Sequence, residues 1–409
     1  MKPVYTPSQQ ILERYAKVLV DFALGEGKGI KKGDVVYIIV EEYAKPLFLE
    51  IRKAIWRSGG HVIANYRPSN DAEYNVDRDF FLHAQEHHLS FFPEHHMRGL
   101  IKQIDHSIFI ISDTNMEALK GIDPKKIMQI GKSMKPWLEW RSEKENAGKF
   151  SWTIGLYGTP AMAKESGMSL KEYWDQIINA CFLDQQNPIK KWQKVFQDLE
   201  HYRAKLNALA PQTEKFHIKG PDADLWIKLG EKRAWKGGSG ANIPSFELFT
   251  SPDWRGTNGW IRFNQPLYRY GNLIEGIELT FKDGVVVKSS ATKNEKVLKE
   301  MIATENADKV GEFSMTDRRF SRITRFMAET LYDENVGGPN GNTHIALGKA
   351  YQDCYTGDVS KVTKAQWAKM GYNNSVVHTD IISTAPRVVT AYLKDGSTKV
   401  IYKNGRFVI

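Results

Sequence analysis

The residue types best suited to chemistry are concentrated between Leu331 and Asp380. The stretch opens with Asp333-Glu334-Asn335, passes a Gly-rich loop, runs from Asn342-Thr343-His344 to Tyr351 and closes on His378-Thr379-Asp380. Of the chain's 11 histidines only His344 and His378 lie beyond position 217, and both fall here. Upstream, Glu247 sits in the apolar run Ile243 to Thr250, and Glu312 in Val310 to Met315. A carboxylate among apolar neighbours is costly to bury alone and needs a cation or a donor. Singly, each glutamate reads as an edge-exposed or salt-bridged side chain. Together, the carboxylates of Glu247, Glu312, Glu334 and Asp380 and the two imidazoles form a mixed O/N donor set that suits a pair of divalent ions. Such a pair is the basis of two-metal hydrolysis.

Other candidates are weaker. His83-Ala84-Gln85-Glu86-His87 has the form H-x-x-E-H, which on one helix sets two imidazoles a turn apart with a carboxylate beside them. His88, His95 and His96 lie close by in sequence, yet no further ligand or supporting partner is evident, and a solvated His-rich loop explains the pattern equally well. Lys236-Gly237-Gly238-Ser239-Gly240 is Gly-rich without being a phosphate-binding G-x-x-x-x-G-K-[ST] loop, and no G-x-G-x-x-G follows a first strand. It reads as a flexible connection that lets the next segment enter the site.

The elements that must position these side chains fall into two textures. In Val376 to Ile382 the β-branched content predicts a strand, whose alternation points His378 and Asp380 the same way, able to share one ion. Helical spacing over Thr343 to Tyr351 places His344 and Tyr351 on one face, with Thr343 as N-cap. In the N-terminal half, helices at Ser8 to Leu24, Lys45 to Ser58 and Asp71 onward alternate with strands at Asp34 to Val40, His61 to Tyr66, Ser107 to Ser112 and Ser151 to Tyr157, which predicts a parallel α/β sheet. Helices follow at Ser169 to Phe182 and Ile189 to Leu209. Beyond them come short β segments at Lys215 to Gly220, Ala223 to Leu229, Trp260 to Phe263, Gly276 to Phe281 and Val285 to Ser289. Hairpin turns are read at Lys282-Asp283-Gly284 and Lys403-Asn404-Gly405, and helices at Glu295 to Asp308 and Ser321 to Ala328. The expected fold is therefore an α/β N-terminal domain with a parallel sheet (residues 1–188), a helical connector (189–212), and an α+β C-terminal domain with a largely antiparallel sheet carrying the metal site (213–409).

Composition agrees with a folded protein of more than one domain: 409 residues, 41% hydrophobic and 11% aromatic. The formal net charge of +9 comes from scattered basic residues without a basic arm, so no nucleic-acid partner is expected. Cys181 and Cys354 match no zinc-ribbon spacing and no disulfide scaffold. Met1 to Tyr5 lacks a charged region followed by an apolar run, so no signal peptide is read. No stretch approaches the length of a membrane span, and a cytoplasmic location is expected.

Asn242-Ile243-Pro244, Glu247 and Phe249-Thr250-Ser251-Pro252 together resemble the N-I-P-x-x-E-x-F-T-x-P segment of the aminopeptidase T family of thermophilic metalloaminopeptidases. Asp333-Glu334-Asn335 with His344-Ile345-Ala346-Leu347-Gly348 and Tyr351 is similar to its D-E-N and H-I-A-L-G-x-A-Y segments, and His378-x-Asp380 to its closing one. The segments occur in the family's order. Two departures stand out: Phe246 replaces a common Gly, and Val336 to Gly341 lengthens the gap between Glu334 and His344. The resemblance implies metal ligands at Glu247, Glu312, Glu334, His344, His378 and Asp380, with Tyr351 as a catalytic residue. It also implies two divalent ions (zinc or cobalt, with manganese or magnesium as alternatives), a homodimer, and removal of the N-terminal residue from peptides with a free N-terminus. Glu312 is the candidate bridging or proton-handling carboxylate. Two other classes remain open: a metal-free binding protein on the same fold, and a basic nucleic-acid-binding α/β protein.

Overall fold

The computed structural model describes residues 5–71 and 73–409. Met1 to Val4, on which the signal-peptide reading rests, lie outside the described residues. The chain forms two compact units. The first comprises the described residues up to Phe196 with Ser239–Ser245 and Met327–Leu331; the second comprises Gln197–Gly238, Phe246–Phe326 and Tyr332–Ile409. The helix Pro188–Leu209 contains the point of division.

In the first unit β1 (Val35–Glu41), β2 (His61–Arg67), β3 (His106–Ile111) and β4 (Ser151–Leu156) form a parallel sheet in the order β2-β1-β3-β4. Val36, Ile38 and Val40 of β1 are wholly buried, as the apolar run predicts for a central strand. The helix predicted from Asp71 begins only at Val76. The Asp71 carboxylate accepts from the backbone N–H of Glu73 and Tyr74, a local turn that competes with helix, and Asn75 then caps Arg78.

Glu41 ends β1 with its Oε2 buried and without a hydrogen-bond partner among the described residues, and with Arg67 3.7 Å from Oε1. Burial, then the nearby Asp113, push its carboxyl from 4.5 up to about 7 against the pull of Arg67. A carboxyl with a raised folded-state pKa stabilises the fold below pH 4.5, and that contribution is lost as the pH climbs through 7. Glu41→Gln is expected to raise stability relative to wild type by ~1–2 kcal/mol at pH 8 and by nothing at pH 4. Urea unfolding at the two pH values measures this, and an equal gain at both contradicts it.

The second unit is built on β5 (Thr213–Gly220), β6 (Ala223–Lys228), β7 (Glu247–Thr250), β8 (Asp253–Arg262), β9 (Leu267–Arg269), β10 (Asn272–Ile274), β11 (Glu278–Lys282), β12 (Val285–Ser290), β13 (Val310–Thr316), β14 (Asn342–Gly348), β15 (His378–Ser383), β16 (Val388–Leu393), β17 (Thr398–Lys403) and β18 (Arg406–Phe407). An eight-stranded antiparallel sheet runs β12-β11-β8-β6-β5-β16-β17-β18, and a four-stranded antiparallel sheet runs β15-β14-β13-β7. Both predicted hairpin turns are present. At the first, Asp283 and Gly284 take the positive φ values, 51° and 89°, that a tight two-residue turn requires.

Three helix expectations are corrected. Thr343 to Tyr351 is not helical: Asn342–Gly348 is a strand, and all of it is buried. Ile345 and Leu347 fill one face and His344, Ala346 and Gly348 the other, a period of two. Ser321 to Ala328 is irregular, because the Ser321 hydroxyl binds the local backbone, accepting from Ile323 N and donating to Asn335 O. The helix from Glu295 stops at Ile302, and the chain then turns through Asn306 at φ 58°.

Candidate metal centre

The pairing register decides which side chains meet. Across the four-stranded sheet Thr316 pairs with Glu247, Ser314 with His344, Glu312 with Ala346, Ala346 with Asp380 and Gly348 with His378. Paired residues share a face, and so do residues two apart on a strand. Glu247, Ser314, Glu312, His344, His378 and Asp380 therefore all project from one face. Ala346 and Gly348 stand among them on that same face, so the polar groups have space between them. The opposite face carries Phe313, Met315, Ile345, Leu347 and Ile381, and Phe313 packs its ring 5.9 Å from Phe216 of the larger sheet.

His344 lies at the centre. Its Nε2 is 3.2 Å from Glu247 Oε2, 3.4 Å from Glu312 Oε1 and 3.9 Å from Asp380 Oδ1. His378 Nε2 is 3.7 Å from Glu312 Oε2 and 3.5 Å from Asp380 Oδ1. One oxygen of Glu312 thus faces each imidazole. Ligand-type atoms within 4.8 Å of one another define three groups: Glu247, Glu312 and His344; Glu312, His378 and Asp380; and Glu334, His344 and Asp380. The structure brings all six predicted residues together. Glu334 reaches the centre from outside the sheet, just after the short helix Thr330–Asp333. The longer loop behind it does no harm to this placement. Asn342 Nδ2 donates to the carbonyls of Asp333 and Glu334 at 3.0 and 2.9 Å, closing the base of the loop.

Packing these groups together shifts their protonation. Burial, opposed by His344 and aided by Glu247, pushes Glu312 up to about 7. Burial, then Glu247 and Asp380, raise Glu334 well above its ordinary value. Burial works against the imidazolium of His378, but Asp380 and Glu312 outweigh it and take the ring to about 9. Burial likewise works against the Asp380 carboxylate, yet His378, His344 and Arg269 hold it below the usual range. Tyr351 follows β14, with its ring 4.8 Å from His378 and 5.5 Å from Phe249. Burial and the surrounding carboxylates raise its hydroxyl well above 10.0, so it remains a proton donor.

A family profile described as thermophilic metalloprotease (M29) matches residues 8–407. The chain belongs to that family. Aminopeptidase PepS of Streptococcus thermophilus is 28% identical over 97% of this M29 chain and 98% of its own length. Aminopeptidase T of Thermus thermophilus is 31% identical over 73% of this chain and 76% of its own. The solved wild-type AmpT from Thermus thermophilus has the same fold, with a TM-score of 0.81 at 24% identity over 98% of this chain and 100% of that one.

The M29 chain's own residues fit the metal that the family name implies. The donor set is hard oxygen with imidazole, it is buried, and among the described residues neither ring nitrogen of His344 has a partner at good hydrogen-bond geometry. The rival histidines do not fit. Ala84 is extended and separates the helix ending at His83 from the short helix Glu86–Leu89, so H-x-x-E-H does not lie on one helix. Among the described residues no group of three metal-type ligands includes these histidines.

Some contributors to the M29 centre were missed in the sequence. Ser314 Oγ donates to Glu247 Oε2 at 2.5 Å and fixes that carboxylate. Its position two residues after Glu312 was the available signal. The Gly-rich loop is held rather than free at its start: Lys236 and Phe249 exchange backbone hydrogen bonds of 2.8 and 3.0 Å. Gly237, at φ 131°, passes so close to β7 that a Cβ there would lie 2.2 Å from the Glu247 carbonyl oxygen. Phe246 is fully buried and its N–H donates to Asn335 Oδ1 at 2.6 Å, so it ties the Glu247 strand to the Asp333-Glu334-Asn335 segment.

Proposed function

We propose that the protein is a two-metal aminopeptidase that removes the N-terminal residue from peptides with a free α-amine. The enzyme class, a metalloaminopeptidase, follows from family membership and from relatives that are themselves named aminopeptidases. The observation that carries the two-metal reading is the placement of Glu312, with one carboxylate oxygen toward His344 and the other toward His378. On this reading Glu247, Glu312 and His344 hold one ion, Glu312, His378 and Asp380 hold the other, and Glu334 adds a carboxylate beside them.

Bound there, zinc or cobalt supplies the Lewis acidity that makes water a nucleophile near neutral pH and polarises a carbonyl. The chain's residues do the rest. Glu312, with one oxygen toward each imidazole, would be the carboxylate shared by the two ions and would stay ionised while they are bound. The substrate's free α-amine would ligate an ion or pair with one carboxylate of the cluster, which favours attack at the first peptide bond and so exopeptidase action. Tyr351 donates its hydroxyl to the oxyanion that develops on the scissile carbonyl. A homodimer and a cytoplasmic location complete the proposal; among the described residues no helix is long and apolar enough to cross a membrane.

Release of leucine from Leu-p-nitroanilide tests the reading. Activity should vanish on chelation and return with zinc, cobalt or manganese; full activity in the chelated protein would contradict it. Ser314→Ala should weaken metal affinity about 10- to 100-fold, because it frees the Glu247 carboxylate to rotate. Competition with a chromophoric chelator measures this, and an unchanged affinity would remove Ser314 from the centre's support.

A further inference from the structure

One cation beside the centre has no role in the mechanism above. β9 and β10 form a small two-stranded sheet, and the chain leading into it runs along the edge of β15 that β14 leaves free. Gln265 N donates to Ile382 O at 3.3 Å, and Thr384 N donates to Asn264 Oδ1 at 2.9 Å. At the far end of this run Arg269 Nη2 reaches His378 O at 3.4 Å. Arg269 thereby stands at the start of the strand that contributes His378 and Asp380.

Its donors are largely unused. Arg269 Nε is buried and has no hydrogen-bond partner among the described residues; the Tyr270 ring lies 5.0 Å from the guanidinium carbon, and the charge of Arg269 also acts on Asp380. A guanidinium carries five N–H donors in a rigid fork whose geometry matches a carboxylate. Leaving a buried donor unmet is costly, so an acceptor from outside the chain is the natural complement. The carboxylates of the centre are not that complement once loaded: two divalent ions balance the four negative charges of Glu247, Glu312, Glu334 and Asp380. Nor is the substrate's α-ammonium, which a fixed cation repels. The scissile carbonyl already has its partners. What remains is an anionic group on the substrate beyond the scissile bond.

We propose that Arg269 is a substrate-binding residue that takes a carboxylate on the residue after the scissile bond, above all the terminal carboxylate of a dipeptide. In a dipeptide that carboxylate lies one residue, about 3.3–3.6 Å of chain, past the scissile carbonyl. The guanidinium fork donates two parallel hydrogen bonds to it. Dipeptides are then the preferred substrate class, with longer peptides cleaved less efficiently. This inference rests on the aminopeptidase reading.

The test compares Leu-Gly, Leu-Gly-amide and Leu-Asp-amide on the metal-loaded wild type and on Arg269→Gln. Wild type should cleave Leu-Gly with a kcat/KM about 10- to 100-fold above Leu-Gly-amide. In Arg269→Gln the value for Leu-Gly should fall toward that of the amide through KM, with bound metal unchanged by elemental analysis. A rate for Leu-Asp-amide that matches Leu-Gly assigns Arg269 to side-chain carboxylates instead, and overturns the dipeptide preference. Equal cleavage of Leu-Gly and Leu-Gly-amide by wild type overturns the inference while sparing the peptidase reading, and this comparison needs no variant to fold. A wild type that cleaves none of the three overturns both.

Discussion

Glu247→Ala, His344→Ala and Asp380→Ala should each abolish leucine release from Leu-p-nitroanilide, with kcat/KM falling at least ~10³-fold, about 4 kcal/mol of transition-state stabilisation. Each substitution removes a donor from one or more of the three ligand groups. Each also takes a ligand away from the ions, so metal retention falls along with activity. His344→Ala should be the most damaging of the three, because its Nε2 lies within 4 Å of Glu247, Glu312 and Asp380 at once. His87→Ala is the internal control. That ring sits on the short helix Glu86–Leu89, its centroid 3.8 Å from that of His88 and tilted by 39°, and its loss should leave the rate within about twofold. Full activity in any of the three ligand variants would remove that residue from the centre.

Tyr351→Phe should lower kcat about 10²- to 10³-fold and leave KM nearly unchanged, the signature of a donor used only as charge develops on the substrate. The phenylalanine ring keeps the contacts with Phe249 and His378, so metal content and stability should stay at wild-type levels. Because the hydroxyl is held well above 10.0, its own ionisation should not appear as a limb of the pH–rate profile below pH 9. Steady-state kinetics with measured metal content separate this from a packing role. A loss expressed only in KM, or only with loss of metal, would assign Tyr351 to support under the centre.

Much of this centre could be read from residue order. His378 and Asp380 were placed on one face of a strand by alternation alone, and they meet across 3.5 Å. The six side chains that the structure gathers were recoverable from type and spacing together with a resemblance to the family. The secondary structure around His344 was not. His344-Ile345-Ala346-Leu347-Gly348 carries no β-branched run and its small residues suit a helix. What makes it a strand is burial on both faces between β13 and β15, a tertiary fact that propensity does not contain. Ser314 and Gly237 escaped for a related reason. Each acts through a backbone or side-chain approach to Glu247 from a strand or loop whose register sequence cannot supply. The helix expected over Ser321 to Ala328 failed locally, since a serine hydroxyl outcompetes the first helical hydrogen bonds.

The placement of Glu312 between two imidazoles is the claim on which the rest depends, and metal stoichiometry reads it directly. Elemental analysis of the purified chain after dialysis against zinc should give two ions per chain, and Glu312→Ala should give none. One ion in the wild type, or two retained in Glu312→Ala, would contradict a shared carboxylate and with it the two-metal account.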